Sequence, residues 1–230
     1  MNYNHKVFKV AVVLLCCVAF CTRTSLAQSH ADDKVGFKWG FAAKVGPEGD
    51  RKFVSVRHDT VMHSGDSLKM VVELTKPCYV YVIYQNPNGE LKLLFPYSLT
   101  QFAKDYTVGK NYFIPQGQDW NTLDPTPGKE KFHILASAER LNDFEVAFTK
   151  YEAASSSRKN DMAKKVLAQI RTTKLQNKLY ASAAERPINI GGNVRGLITP
   201  EARQPDVTDV EVSISSKGFY NKTFAIDHQK

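Results

Sequence analysis

Apolar side chains recur at every second position through several stretches of this chain, the spacing of strands that bury one face. Val35, Phe37, Trp39 and Phe41 alternate with Gly36, Lys38 and Gly40, and Leu68, Met70, Val72 and Leu74 alternate with Ser67, Lys69, Val71 and Glu73. Strands are predicted over 35–41 and 67–75, the second with its even-numbered face toward the core, and a shorter one over 52–56. Residues 77–84 are apolar or aromatic on both parities, with Cys78, Val80, Val82 and Tyr84 on one face and Tyr79, Tyr81 and Ile83 on the other. Such a strand is covered on both sides. Asn86-Pro87-Asn88-Gly89 then supplies a turn, because proline presets the first turn angle and Asn-Gly tolerates positive φ, and a hairpin should return through Leu91, Leu93 and Phe95. Further strands are expected over 112–114, 131–137, 210–215 and 220–226. The last two should join through Lys217-Gly218 as a C-terminal hairpin, 207–228.

The period changes between these regions. Leu141, Phe144, Phe148 and Tyr151 recur at three- and four-residue spacing, which predicts a helix over 143–152 with Asn142 and Glu145 as a capping-box-like start. Ser155-Ser156-Ser157 ends it. A longer helix is expected over 160–184, striped by Met162, Val166, Ile170, Leu175 and Leu179, with Pro187 beyond its end. Residues 189–196 and Thr199-Pro200 read as loop with a short strand. The fold class is therefore mainly β (α+β): a β-sandwich-like antiparallel domain with a helical insertion of one short and one long helix, at about 142–186. No internal repeat is visible.

The amino terminus changes the picture of where the chain works. Lys6 and Lys9 precede the apolar run 10–20, and Ser25-Leu26-Ala27 offers small residues at both cleavage positions, so residues 1–27 read as a signal peptide cut before Gln28. The apolar run is shorter than the roughly 20 residues of a spanning helix. No transmembrane segment is expected in the mature chain, 28–230, which should be a single β-rich domain, exported and periplasmic or secreted. Cleavage removes three of the four cysteines and three cations, leaving Cys78 and a formal charge of +5 out of +8. With one cysteine no internal disulfide is open to it, so stability must come from the core.

Charge is unevenly spread. Arg158, Lys159, Lys164, Lys165, Arg171, Lys174 and Lys178 face only Asp161 in the same stretch, so the second helix holds more positive charge than the whole mature protein. These seven are the candidate binding residues, suited to an envelope protein or an anionic envelope surface. Nucleic acid is not expected, given export and the lack of a binding motif.

Catalytic chemistry is thinly supplied. Cys78 and His133 would make a nucleophile and base, but Cys78 sits among aliphatic and aromatic residues, where cysteine acts as a buried hydrophobe. His58, Asp59, His63 and Asp66 offer metal-ligand types without a ligand spacing, and Gly128-Lys129 lacks the upstream glycine of a phosphate loop. Tyr79, Tyr81, Tyr84, Tyr97, Tyr106 and Tyr112 suit either a binding face or a packed sheet, and packing is the expected use. No catalytic residues, metal or cofactor are assigned.

Gly65-Asp66, Tyr79-Val-Tyr81, Leu94-Phe95-Pro96, Ile114-Pro115, Pro127-Gly128 and Phe132-His-Ile-Leu-Ala136 form a series of landmarks over 64–138. The series resembles a bacterial family of unknown function, numbered four-three-eight-four. That resemblance implies a β-sandwich-type accessory module, elsewhere often joined to serine/threonine kinases or caspase-like peptidases, and it carries no active site. Physically, Pro96 and Pro115 should end strands because they cannot donate to a ladder, and Gly128 should take a conformation that a Cβ resists. The expected function is an exported, non-catalytic binding or assembly module of the bacterial cell envelope. The alternatives are a small-ligand sensor domain, marked by an apolar pocket between sheets, and an envelope hydrolase whose site only the fold assembles.

Overall fold

Alternation along the first strand is what closes the molecule: its odd-numbered side chains are driven into a core between two sheets, and its even-numbered ones lie against the opposite surface. The computed structural model describes residues 35–179, 184–187 and 205–230, which fall in one compact unit. The expected signal peptide and the loop expected over 189–196 and Thr199-Pro200 lie outside them. The chain runs β1 (Val35–Val45), β2 (Lys52–Ser55), β3 (Thr60–His63), β4 (Ser67–Leu74), β5 (Tyr79–Gln85), β6 (Leu91–Phe95), β7 (Asn111–Ile114), β8 (Asn121–Thr122) and β9 (Gly128–Ser137). Then come α1 (Asn142–Glu152), α2 (Ser156–Gln176), β10 (Ala184–Pro187), β11 (Val212–Ser216) and β12 (Phe219–Gln229).

One sheet has the order β10-β11-β1-β4-β7, with β2 on β1 and β8 on β4; the other has the order β3-β12-β9-β5-β6. Pairing is antiparallel except for β3 on β12, which is parallel. The fold is thus a mainly β, sandwich-like arrangement with one short and one long helix, as the patterning predicts. Leu68, Met70, Val72 and Leu74 meet Val80, Val82, Ile134 and Phe224 in the inter-sheet core. Tyr81, Ile83, Leu135 and Phe219 point the other way, under Phe144, Phe148, Val166 and Ile170 of the helices. That is why residues 77–84 are apolar on both parities: β5 separates two cores.

The Asn86–Gly89 turn forms as expected, with Gly89 at φ +85° and its N–H donating to the Asn86 carbonyl at 3.0 Å. Pro96 and Pro115 each follow the last residue of a strand, β6 and β7. Gly128 opens β9 at φ +153°, and a Cβ there would sit 2.6 Å from Pro87. Glycine is needed because the β5–β6 turn lies directly on it.

Three expectations change. The C-terminal hairpin is absent: β11 pairs with β1 and β10 while β12 pairs with β9 and β3, so Lys217-Gly218 carries the chain from one sheet to the other. Both strands bury a face against the same inter-sheet core, one from each side, and each finds its ladder partners in its own sheet. Second, α2 starts at Ser156 and ends at Gln176, and residues 184–187 are strand. Its buried face is Ala163, Val166, Ile170 and Thr173, while Leu175 and Leu179 are 66% and 90% exposed.

The third concerns the start of α1, where Asn142 and Glu145 make no capping box. Leu141 is the cap residue, without a side-chain bond, and Glu145 turns inward. Tyr81 Oη donates to Glu145 Oε1 at 2.6 Å and accepts from the Leu141 N–H at 3.1 Å, and Arg140 pairs with the same carboxylate. Tyr81→Phe leaves a buried carboxylate and a helix-end N–H short of partners, so it should destabilise the protein by about 2 kcal/mol in urea unfolding. A change below about 0.5 kcal/mol would mean the helix does not depend on that hydroxyl.

Candidate functional site

At one end of the sandwich, the first residues of β4 and the two-residue strand β8 face the β5–β6 hairpin and the start of β9 across a cleft of about 240 Å³. Its apolar wall is Phe41, Leu68, Met70, Leu94, Ile114 and Phe132, and its polar rim includes Tyr84, Lys92, Asn121, Thr122, Asp124 and Glu130. Strand parity explains the mixture. Even-numbered residues of β9 face the inter-sheet core, so Glu130 points the same way as Phe132 and Ile134. Tyr84 has the inward parity of Val80 and Val82, and Lys92 stands opposite it across β5–β6.

Glu130 is only 6% exposed. Burial raises its pKa from the ordinary carboxylate value, and hydrogen bonds from Tyr84 and His228 pull in the other direction. Burial also pushes the Tyr84 hydroxyl up, so it remains a donor. His228 Nδ1 lies 3.2 Å from Glu130 Oε1 and its Nε2 lies 3.0 Å from Ser64 Oγ. In the neutral tautomer with the proton on Nδ1, the ring donates to Glu130 and Nε2 accepts from the Ser64 hydroxyl.

Serine, histidine and carboxylate in that order are also the parts of a hydrolytic triad. The surroundings differ from one. The N–H groups of Ser64, Gly65 and Asp66 donate to Gln229, Leu123 and His63 carbonyls at 2.9, 3.0 and 3.0 Å, leaving that turn no free pair for an oxyanion. The His228 side chain is fully buried. The chain of bonds ties β12 to β9 and to the β3–β4 turn, behind the cleft. Spacing along the sequence holds no sign of it, since its members are residues 64, 130 and 228.

The Cys78 and His133 pair is separated by the five-stranded sheet. Cys78 lies in the inter-sheet core, its Sγ 3.4 Å from the Gly36 carbonyl, and burial pushes its thiol up to about 11. His133 has the outward parity of Leu135, beneath α2. Asp59 accepts from the Ala225 N–H at 2.8 Å, and Asp66 from the Gly46 and His63 N–H groups at 2.9 and 2.8 Å, so both carboxylates brace loops. No cluster of metal-ligating side chains occurs among the described residues. The tyrosines pack: Tyr79, Tyr97, Tyr106 and Tyr112 form a connected ring cluster with Phe95 and Phe102.

Two of the seven candidate cations are held by bonds within the protein. Lys159 donates to the Glu152 carbonyl at 3.1 Å and lies 4.3 Å from the Tyr151 ring centre. Lys174 is half-buried and donates to Thr223 Oγ1 at 2.6 Å. Arg158, Lys164, Lys165, Arg171 and Lys178 are exposed, and Lys164 lies 3.6 Å from Asp161.

Residues 61–140 match the family model described as Domain of unknown function (DUF4384). The DUF4384 segment is about a third of the chain and runs from β3 to the end of β9. Every residue lining the cleft except Phe41 lies inside it, whereas α1, α2 and the exposed cations lie outside. No curated protein and no solved structure matches the chain. Among the described residues no helix is long and apolar enough to cross a membrane.

Proposed function

We propose that this protein is an exported, non-catalytic binding module whose ligand enters the inter-sheet cleft. One observation carries the reading: an apolar wall with a few convergent polar groups lies between the sheets, and the DUF4384 segment supplies nearly all of it. Such mixed concavities are the usual form of small-ligand sites. The non-catalytic part is supported by the bonded amides around Ser64 and the separation of Cys78 from His133. Thr122 is exposed at the rim, so Thr122→Trp should block the cleft without entering the core. Small molecules retained by the purified protein from envelope extracts, identified by mass spectrometry, should be lost in this variant. Retention of the same compounds would move the ligand elsewhere.

The exposed cations of α2 belong to the same reading as the face turned toward an envelope protein or an anionic envelope surface. A triple variant, Lys164→Glu, Lys165→Glu and Arg171→Glu, should keep the melting temperature within a few degrees and abolish any salt-sensitive association with envelope fractions, because these side chains are exposed. Unchanged association would remove the helix from the interface. Lys174 is left intact because it is bonded to Thr223.

A further inference from the structure

Two carboxylates and two lysines line the cleft. Glu130 and Asp124 stand on its wall and rim, and the opposing cation is Lys92, exposed on β6. Lys69 also lines the wall, but its ammonium is turned away: it donates to the Gly117 carbonyl at 2.7 Å and lies 5.3 Å from the Phe113 ring centre. Phe113 packs on the outer surface of the seven-stranded sheet, to which Lys69 itself belongs. Rings crowd the same space, with Phe41 and Phe132 centroids 5.0 Å apart and Tyr84 and Phe132 centroids 5.3 Å apart. Carboxylate and aromatic rings together are the means by which proteins hold organic cations, since the ring faces are electron-rich and the carboxylate neutralises the charge.

We propose that the cleft takes a small organic ammonium ion, its head held by Glu130 and Asp124 among the rings of Phe41, Tyr84 and Phe132, and its short apolar body against Leu68 and Met70. The size fits such a ligand, because 240 Å³ lies below the roughly 300–1,000 Å³ of sites for larger molecules. Glu130 is built for the task. It is held in place from behind by His228, itself fixed by Ser64, so the carboxylate is positioned before a ligand arrives. Tyr84 presents its ring to the cleft while its hydroxyl is bonded to the same carboxylate.

This inference rests on the cleft being the ligand site, and one set of probes separates the two claims. 3-Methylbutylamine, 3-methylbutanol and 3-methylbutanoate share a carbon skeleton and differ in the head group. Titrated into the protein at low ionic strength and followed by calorimetry, the amine should bind at least about tenfold more tightly than the alcohol, the carboxylate least of all. Glu130→Gln and, independently, the rim substitution Asp124→Asn should each erase much of the amine's advantage while leaving the alcohol unaffected. Lys92→Glu, an exposed change, should strengthen the amine alone. If the alcohol binds as tightly as the amine, or the carboxylate binds best, the ammonium proposal falls and the cleft remains a ligand site. Binding of none of the three overturns both.

Discussion

Phe224→Ala should lower the unfolding free energy by about 4 kcal/mol, the range seen when a large buried ring is removed and the surroundings cannot collapse. Phe224 is 2% exposed on β12 and has Trp39, Phe41 and Phe132 around it, with ring centroids at 6.0, 5.5 and 5.5 Å. Trp39 and Phe41 come from one sheet and Phe132 from the other, so one ring touches both halves of the sandwich. Rigid aromatic neighbours close poorly over a void. The melting temperature should fall on the order of 10 °C. A loss below about 1 kcal/mol would show that the rings repack and that the inter-sheet core is not specified at this position.

Acidification should destabilise the protein through His133. Its ring is 8% exposed, and burial, with Lys174 and Lys131 close by, lowers its pKa to about 4 from an unfolded value of 6.5. Thr223 Oγ1 lies 3.2 Å from Nδ1, and Nε2 has no partner. Between those two pH values the unfolded chain carries a proton that the native state refuses, so stability rises with pH and is lost as pH falls from 6.5 toward 4. The full loss is about 3 kcal/mol. Glu130 and Glu211, whose pKa values are raised by burial, act in the opposite sense in acid, so the clean quantity is the difference from His133→Leu. That variant should match the native protein or exceed it at pH 7 and gain steadily on it below pH 6.5. Parallel stability curves for the two proteins would show that His133 is protonated in the folded state.

Parity made the sheets legible. The even face of β4 and the two-sided β5 follow directly from alternation, and each was expected to lie where it does. The route between sheets was not legible, because alternation on β11 and β12 states only that each buries a face and is silent about which strand lies beside it. Lys217-Gly218 suits a hairpin and a crossing equally. On α2 the apolar spacing led to Leu175 and Leu179, whereas those two are exposed and the buried face adds the small residues Ala163 and Thr173 to Val166 and Ile170. Glu145 looked like a cap because local spacing cannot foresee a tyrosine hydroxyl arriving from β5. The cleft left one trace: Glu130 occupies an inward position of β9, and His228 occupies the inward parity of β12 set by Phe224 and Ile226. A polar residue on a core-facing register is a signal that a strand end lines something other than core.

The position of β12 has a consequence for how the protein is made. It lies between β3 and β9, pairing along β9 from Phe219 opposite Ser137 to His228 opposite Gly128. The DUF4384 segment supplies the flanking strands but not this one, nor β1, which joins β4 to β11 in the other sheet. Neither sheet can close around residues 61–140 alone. On the ribosome, a chain that has emerged only as far as Ser216 still shows water a bare β9 edge and the inward rings of Phe41 and Phe132. Assembly must wait for residues 219–229 and then join partners some ninety positions apart, a slow, non-local step during which any chaperone has its opportunity to bind.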